Sequence, residues 1–457
     1  MFLFLFSVAS CSEEEKKTIS RCSVFNKISN RKMEDPSQYM VEKIQNYFLP
    51  SAPRKNATSL IKVHNCKLNQ TGDISFPLNP EIWENYFKIP IVDRENNIFS
   101  FQNTTEQEAL EKFKESSQNW TYPLAEVKLQ KDRCGVFLNR QKCIEILINQ
   151  VLDNKTFGIQ MKDPKKRFRF LDSQNNNPEG LSEYRARLVY KTLRKLLKYS
   201  NWSEVDDESG KKINVVSVVT KVPKAEIQND VISIRCGNVL DPQDGKLARI
   251  PPSEYISLRS TDMRLMAMHK YGIRVKDDKK FCELFGRLGE AAVTVDLLEV
   301  KPSSPVNMIR SGQGSTKGAS FILYNSARLE TLLRTFEQKV TEGIYDKLPP
   351  LNDIDFSLLS NEEEWELVYG YIFGFPNLIN RCTENFDSGS CSIHCLIKYL
   401  DGLVSTFSVY YRRVRILTET RAHLMPHVYA RIYLLKAVRQ IFNMTLALLD
   451  IEPVEFM

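Results

Sequence analysis

The chain has few residues whose types and spacing suit metal binding or acid–base chemistry. Its ten cysteines form no Cys-x-x-Cys pair, and the nearest approach to a metal signature is Cys391, His394 and Cys395. In a helix, Cys391 and Cys395 would share one face, but no second cluster with zinc-like spacing accompanies them. Helix packing explains these residues better than a metal does, and the sequence predicts no metal or other cofactor.

One segment of the chain has a weak resemblance to a phosphate-binding loop. In Gly245-Lys246 a lysine follows a glycine, which alone is weak support for such a loop. No Walker motif and no Gly-x-Gly-x-x-Gly segment accompanies it. The segment alone therefore does not predict nucleotide binding.

Clustered positive charge is the stronger chemical signal. The chain has 63 Lys/Arg and 56 Asp/Glu, a mild excess of seven. Residues 162–200 hold eleven Lys/Arg and four Asp/Glu, and residues 405–445 hold seven Lys/Arg and one glutamate. Two basic regions of this kind suit a polyanion such as RNA.

The first basic region has two parts. Residues 165–170 interleave cations with phenylalanines, and residues 184–199 predict an amphipathic helix with Ala186, Val189 and Leu193 on its apolar face. A one-sided row of cations can follow a phosphate backbone, and the alternative is a solvated face whose acidic partners lie on another element. The candidate RNA contacts are Lys165, Lys166, Arg167, Arg169, Arg187, Lys191, Arg194 and Lys198.

The second basic region mixes arginines with tyrosines. Tyr410, Tyr411, Tyr429 and Tyr433 could stack on unpaired bases, or they could pack in a core. The candidate RNA contacts are Arg412, Arg413, Arg415, Arg431, Lys436 and Arg439. Leu403, Phe407, Leu435, Phe442 and Leu449 fall on inner stripes and are predicted to be core.

The elements that carry these residues change along the chain. Residues 33–160 mix strand-like and helical runs and predict an α+β domain. Residues 161–259 hold the basic helix and two β-branched strands, 213–220 and 231–234. Residues 260–457 are mostly helical.

The first 32 residues predict a disordered leader, with Met33 as an alternative start. The apolar run from Met1 to Val8 has no preceding positive charge and soon meets Glu13, which is unlike a secretory signal. Seven Asn-x-Ser/Thr sequons leave a secreted glycoprotein as an alternative. No other stretch reaches the ~18 apolar residues of a membrane span, so we expect a cytoplasmic protein with no membrane partner.

The carboxyl-terminal motif is the most specific pattern in the chain. Its landmarks are Tyr399-Leu400, then Phe407, Tyr410 and Tyr411, then Leu448-Leu449-Asp450-Ile451-Glu452-Pro453 and Met457. They resemble the DALR-type anticodon-binding domain of arginyl-tRNA synthetases, an all-helical bundle. Asp450 replaces the usual glycine and Arg415 stands where a proline is common, and neither change should unfold a bundle.

The resemblance extends upstream. Residues 285–293 and residues 312–333 are similar to the preceding helices of these synthetases, and Tyr324, Ala327 and Arg328 keep landmark positions. The resemblance implies a bundle at about 312–457 and adds Arg328 to the RNA-binding candidates.

The catalytic motifs of the synthetases are missing. None of the five histidines lies in a His-x-Gly-His segment; Leu181 to Arg185 occupies that place, and Gly245 to Arg249 occupies the place of the Lys-Met-Ser-Lys-Ser segment. Only 59 residues separate Arg187 from Lys246. A doubly wound nucleotide fold needs two βαβαβ halves, with ~30 residues per βαβ unit. A segment of 59 residues is too short to contain both halves.

The predicted fold is therefore a mixed α/β amino-terminal part with a truncated synthetase-like core, followed by an all-α DALR anticodon-binding helical bundle. The whole chain resembles the DALR anticodon-binding domain-containing protein 3 family. That resemblance implies no catalytic residues and a tRNA-binding adaptor, which recognises arginine tRNAs and assists a tRNA 3-methylcytidine methyltransferase in the anticodon loop. The alternative is an active arginyl-tRNA synthetase.

Overall fold

The structure is a computed structural model, and it describes residues 35–48, 60–84, 98–99, 105–153, 157–158, 166–171, 178–200, 202–205, 214–220, 231–271, 279–310 and 318–454. The predicted leader, Lys165 and Met457 lie outside them.

The amino-terminal part is built on a four-stranded antiparallel sheet of order β1-β2-β4-β3. Helix α4 begins with a capping box in which Thr105 and Glu108 exchange hydrogen bonds. Phe76, Phe99 and Phe113 meet in one buried ring cluster against the sheet. The elements are α1 (Pro36–Phe48), β1 (Lys62–Val63), α2 (Leu68–Thr71), β2 (Ile74–Pro77), α3 (Pro80–Glu84), α4 (Glu106–Ser116), β3 (Leu124–Gln130), β4 (Arg133–Leu138) and α5 (Arg140–Asp153).

The middle of the chain forms a second sheet, which is entirely parallel. Its order is β6-β5-β7-β8, so the chain reverses direction across the sheet between β5 and β7. Ligands of doubly wound folds bind at such a switch point. The elements are β5 (Lys166–Phe170), α6 (Leu181–Leu197), β6 (Trp202–Glu204), β7 (Asn214–Val219) and β8 (Val231–Arg235).

Helix α6 carries the predicted basic row, and its apolar face is confirmed. Val189, Leu193 and Leu196 are completely buried and Ala186 nearly so. The β-branched strands β7 and β8 are also confirmed, with Val216 and Ile234 buried. Burial of this stripe against the sheet orients the opposite, basic face outward.

A fully buried arginine ties α6 to the helical part of the chain. The Arg185 guanidinium donates to the carbonyl oxygens of Leu297 at 2.8 Å, Gly237 at 2.9 Å and Ser304 at 2.6 Å. It also donates to the carbonyl oxygens of Val300 and Lys301, at 3.3 Å each. Both residues lie just beyond the carboxyl end of the helix that contains Leu297. Burial lowers the pKa of Arg185, but a guanidinium stays charged in proteins.

The backbone around Arg185 is shaped for this contact. A Cβ on Gly237 would lie 2.3 Å from the Ser304 carbonyl oxygen, so only glycine allows the two segments to approach. Because Leu297 lies in the last turn of a helix and Val300 just beyond it, their carbonyls belong to the negative end of the helix dipole. A buried cation is stabilised there.

The remaining chain is mostly helical, as predicted, although the first helix begins at Pro252 rather than near residue 260. A π-helical stretch, Glu366–Ile372, follows α10 directly. The elements are β9 (Val239–Leu240), α7 (Pro252–Tyr271), α8 (Lys279–Leu298), β10 (Val306–Asn307), α9 (Ala319–Thr341), α10 (Glu362–Trp365), α11 (Phe375–Thr383), α12 (His394–Arg413) and α13 (Met425–Leu448).

The core of the carboxyl-terminal bundle is the predicted one. Leu403, Phe407, Leu435, Phe442 and Leu449 are all buried. No helix among the described residues is both long and apolar enough to cross a bilayer.

The amino-terminal part packs directly on the bundle. Helix α5 contacts α13, and the Gln440 amide donates to the Val151 carbonyl at 2.6 Å. The Arg140 guanidinium lies 3.7 Å from the Trp365 ring centroid and pairs with the buried Asp73 at 3.1 Å. Burial raises the pKa of Asp73 to about 6 even though Arg140 opposes the rise.

We expect Arg185→Met to lower the free energy of unfolding by at least ~3 kcal/mol, because it leaves several buried carbonyls without their charged donor. Denaturant unfolding measures the change. The control is Lys198→Met at the exposed end of the same helix, which should change stability by no more than about 0.5 kcal/mol. Equal stability of the two variants would contradict this role of Arg185.

Candidate nucleic-acid interface

Cations cluster where α12 ends. Arg412 and Arg413 occupy its last turn, and Arg415 follows two residues later. The carboxyl end of a helix favours positive charge. Arg413 pairs with Glu363 at 2.6 Å, whereas no carboxylate of the described residues pairs with Arg412 or Arg415.

A groove of 490 Å³ lies between α9 and the segment that follows α12. Its walls combine aromatic rings, guanidinium groups and aliphatic side chains. The lining residues are Tyr324, Ala327, Arg328, Thr331, Leu332, Thr335, Tyr411, Val414, Arg415, Ile416 and Leu417.

Arg328 lies between two tyrosine rings in this groove. Its guanidinium carbon is 4.5 Å from the Tyr324 ring centroid and 4.6 Å from the Tyr411 ring centroid. The guanidinium also donates to the Tyr324 hydroxyl at 2.6 Å. Tyr411 is 41% exposed. Stacked guanidinium and phenol planes that reach solvent are the groups on which an unpaired base can stack.

Arg431, one of the candidate RNA contacts, has a structural position rather than an exposed one. Its side chain is only 14% exposed, and its Nε pairs at 3.0 Å with Glu364, which is fully buried. The Tyr410 hydroxyl donates to the same carboxylate oxygen at 2.9 Å. The Glu364 carboxylate also accepts a hydrogen bond from the backbone N–H of Asn361 at 3.0 Å, and this bond caps α10. Arg431 therefore joins α13 to α10 and α12.

Three of the four tyrosines in the second basic region are mainly structural. Tyr410 is completely buried, and burial raises its pKa, which keeps the phenol as a hydrogen-bond donor. Tyr429 is buried, and the Tyr433 hydroxyl donates to the Pro349 carbonyl at 2.6 Å. Of the four, Tyr411 is the most exposed, and Tyr433 is half-buried.

The other cations of α13 have acidic partners on α9. Lys436 pairs with Glu337 at 3.0 Å and Arg439 pairs with Glu330 at 3.2 Å. These are surface pairs, which contribute about 0–1 kcal/mol and exchange partners readily.

The structure describes the three cations of β5. Lys166 pairs with Asp387 at 2.7 Å and lies 5.2 Å from the Trp202 ring centroid. Arg167 and Arg169 both make contacts with neighbouring groups. Phe168 and Phe170 are buried. By strand alternation Lys166 shares their face, and Arg167 and Arg169 lie on the opposite face.

Acidic partners from neighbouring elements meet two cations of the α6 row. Lys191 pairs with Asp450 at 3.3 Å and Arg194 pairs with Glu204 at 2.8 Å. Arg187 also has an interaction partner. Lys198 is exposed, and no carboxylate of the described residues pairs with it. At least two of the four cations in the row therefore have acidic partners on other elements, as the solvated-face interpretation expects.

Cys391 and Cys395 do not share one face of a helix. Helix α12 begins at His394, so Cys391 precedes it and is buried against other elements. The contact within the segment is between the Cys395 sulfur and His394 Nε2 at 3.9 Å. Among the described residues, no group of three His, Cys, Asp or Glu side chains is placed to hold a metal ion.

Sequence patterns did not single out Lys195, Arg287 or the hydrogen-bonding role of Arg185. Lys195 lies one turn after Lys191 and also pairs with Asp450, at 2.6 Å. Arg287 pairs with Glu452 at 2.9 Å. A search for cations four residues apart on α6 would have found Lys195, but nothing local indicates which acid it meets.

Comparison with known proteins confirms the predicted resemblance. Residues 322–457 match the family model described as the DALR anticodon binding domain. DALR anticodon-binding domain-containing protein 3 of Rattus norvegicus is 32% identical over 219 residues, which are 46% of this chain and 41% of that protein. The Danio rerio protein of that name is 30% identical over 230 residues, or 48% and 40% of the two chains. The matched segment spans about two fifths of these relatives.

The fold is also that of a solved synthetase. Arginyl-tRNA synthetase of Thermus thermophilus superposes with a TM-score of 0.58 at 10% identity, covering 92% of this chain and 99% of that one. At that identity the likeness concerns the fold alone. The predicted fold, a mixed α/β part with a synthetase-like core and a helical bundle, is confirmed.

We expect Arg431→Ala and Arg412→Ala to separate structural from surface arginines. Loss of Arg431 leaves a buried carboxylate without its cation and should cost ~3–5 kcal/mol of unfolding free energy. Loss of Arg412, whose Nε donates only to a carbonyl of its own helix, should cost less than about 0.5 kcal/mol. Denaturant unfolding of both variants is the measurement, and similar costs would contradict the assignment.

Proposed function

We propose that this protein is a non-catalytic tRNA-binding adaptor, which recognises arginine tRNAs and assists a tRNA 3-methylcytidine methyltransferase that acts in the anticodon loop. The observation that carries the proposal is the solvent-open stack of Tyr324, Arg328 and Tyr411 in the DALR-like bundle. Sequence-specific RNA recognition targets unpaired bases, which are splayed out and stacked on aromatic or guanidinium planes.

The charges around the groove suit an anticodon loop. Arg415 lines the groove and Arg412 lies three residues before it, and neither pairs with a described carboxylate. Phosphate contacts from such cations fix the register of the RNA, while the stacked planes contact bases. One groove thus supplies both kinds of contact to a loop of single-stranded RNA.

The interior of the parallel sheet argues for a non-catalytic role. Where a synthetase would carry its first catalytic motif, α6 carries Arg185, and this side chain is fully used by backbone carbonyls. Where the second motif would fall, Lys246 lies in an exposed turn beside the Asp241–Arg310 ion pair. Neither segment presents the side chains that stabilise charge on ATP phosphates during adenylate formation.

The methyltransferase partnership is supported by the resemblance to DALR anticodon-binding domain-containing protein 3. An adaptor that holds the anticodon arm can raise the local concentration of the substrate loop at the enzyme. Selectivity for arginine tRNAs would then belong to the adaptor, and methyl transfer to its partner.

We expect Tyr411→Ala to weaken binding of arginine-accepting tRNAs by ~1–3 kcal/mol, which is the usual value of one base–aromatic stack. Tyr411→Phe should bind like the wild type, because it keeps the ring. Filter binding with an arginine-accepting tRNA pool and a second, non-arginine pool gives both affinity and selectivity.

The matched control for the groove is Arg334→Gln. Arg334 is exposed on α9 but does not line the groove, so this variant should keep wild-type selectivity, whereas Arg328→Gln should reduce it. If all variants retain the wild-type ratio between the two pools, the groove does not read bases and the proposal fails.

The alternative function, arginyl-tRNA synthetase, has a direct test. We expect no arginine-dependent ATP–pyrophosphate exchange above a control without protein, because the groups that stabilise the adenylate transition state are missing. Exchange well above that control would establish an active ligase and overturn the non-catalytic proposal.

A further inference from the structure

A second groove, of 540 Å³, lies between α6, α8 and the turn that follows α13. Its lining holds charges of both signs from three parts of the chain: Lys191 from α6, Arg287 and Glu290 from α8, and Asp450 and Glu452 from the turn. The groove is separate in its lining residues from the one around Arg328.

Asp450 holds two lysines of α6 at once. Its carboxylate is 2.6 Å from the Lys195 ammonium and 3.3 Å from the Lys191 ammonium. Lys195 also donates to the Ala447 carbonyl at 2.7 Å, at the end of α13. The hydrogen bond from Lys195 holds the pKa of Asp450 below its ordinary value, so this carboxylate is ionised at neutral pH.

The backbone at Asp450 is suited to glycine rather than aspartate. Its φ is +65°, in the left-handed region, which glycine adopts most easily and asparagine or aspartate next. The aspartate therefore has a conformational cost there, and what it adds is a negative charge opposite α6. Glu452, two residues later, adds a second charge and pairs with Arg287 at 2.9 Å.

These pairs are easy to open. All five side chains are substantially exposed, and exposed ion pairs contribute little because water and salt screen them. The carboxylates of Asp450 and Glu452 thus pair with Lys191, Lys195 and Arg287 but do not hold these cations in fixed positions. A phosphate carries the same charge and similar acceptor oxygens, and it makes charge-assisted hydrogen bonds with the same donors.

We propose that Lys191, Lys195 and Arg287 form a binding site for the RNA phosphate backbone, and that Asp450 and Glu452 occupy this site as intramolecular competitors when RNA is absent. The identity of the polyanion rests on the proposed function. Each carboxylate must be displaced before a phosphate binds, so the turn reduces the affinity for polyanions in general and leaves base-specific contacts at the first groove intact.

The test compares Asp450→Asn/Glu452→Gln with the wild-type chain. Asparagine tolerates the left-handed conformation, so the double variant removes charge and keeps shape. The probes are inorganic polyphosphate and unfractionated tRNA, measured by fluorescence anisotropy over a range of salt concentrations. The matched control is Glu81→Gln/Glu126→Gln, which removes two exposed carboxylates from the amino-terminal part.

We expect the double variant to bind both probes roughly three- to tenfold more tightly at low salt, as the opening of three exposed pairs implies, with a steeper salt dependence. The control should change affinity by less than twofold. Adding Lys191→Gln, Lys195→Gln and Arg287→Gln should abolish the gain. Equal thermal midpoints confirm that each variant is folded.

An unchanged affinity for polyphosphate in the folded double variant would overturn the proposal, as would a gain equal to that of the control. The outcome is independent of arginine selectivity. A protein that binds polyphosphate more tightly in the variant but does not prefer arginine tRNAs would retain this site and lose the proposed function.

Discussion

The arrangement of the parallel sheet and the helical part of the chain depends on the buried guanidinium of Arg185. One side chain from α6 satisfies carbonyl groups from the segment after β8 and from the end of α8. Without it these carbonyls would lie buried without donors, and each such group costs roughly 1–3 kcal/mol. Arg185 thus joins the parallel sheet to the helices. The basic face of α6 is consequently fixed relative to the bundle.

The two grooves differ in what they can contribute. In the first, Arg328 is held between two rings and its planar surface is presented at a defined place, which suits recognition of a base. In the second, flexible lysines meet acidic side chains in exposed pairs, which suits contact with a backbone. Specificity and affinity can therefore be adjusted separately.

Periodicity in the sequence predicts faces, but it does not predict partners. The apolar stripe of α6 and the core positions Phe407 and Leu435 followed from helical spacing, and the structure buries them all. The fate of each cation did not follow, because its acid lies far along the chain: Glu364 is 67 residues from Arg431, and Asp450 is 255 residues from Lys195. Arg431 and Arg412 carry the same charge in one basic region, and contact with Glu364 of α10 leaves Arg431 mostly covered while Arg412 stays exposed.

The joint between α5 and α13 has a consequence for biosynthesis. The Val151 carbonyl meets its donor on Gln440, 289 residues later, and Arg140 stacks on Trp365. At translation rates of about 5–20 residues per second, the ribosome needs roughly 15–60 s to make the intervening chain. Throughout that interval the face of α5 that α13 covers stays open to water and to other nascent chains. The surface of α5 that packs on α13 therefore stays exposed until α13 has been made, and protection by chaperones matters most during that interval.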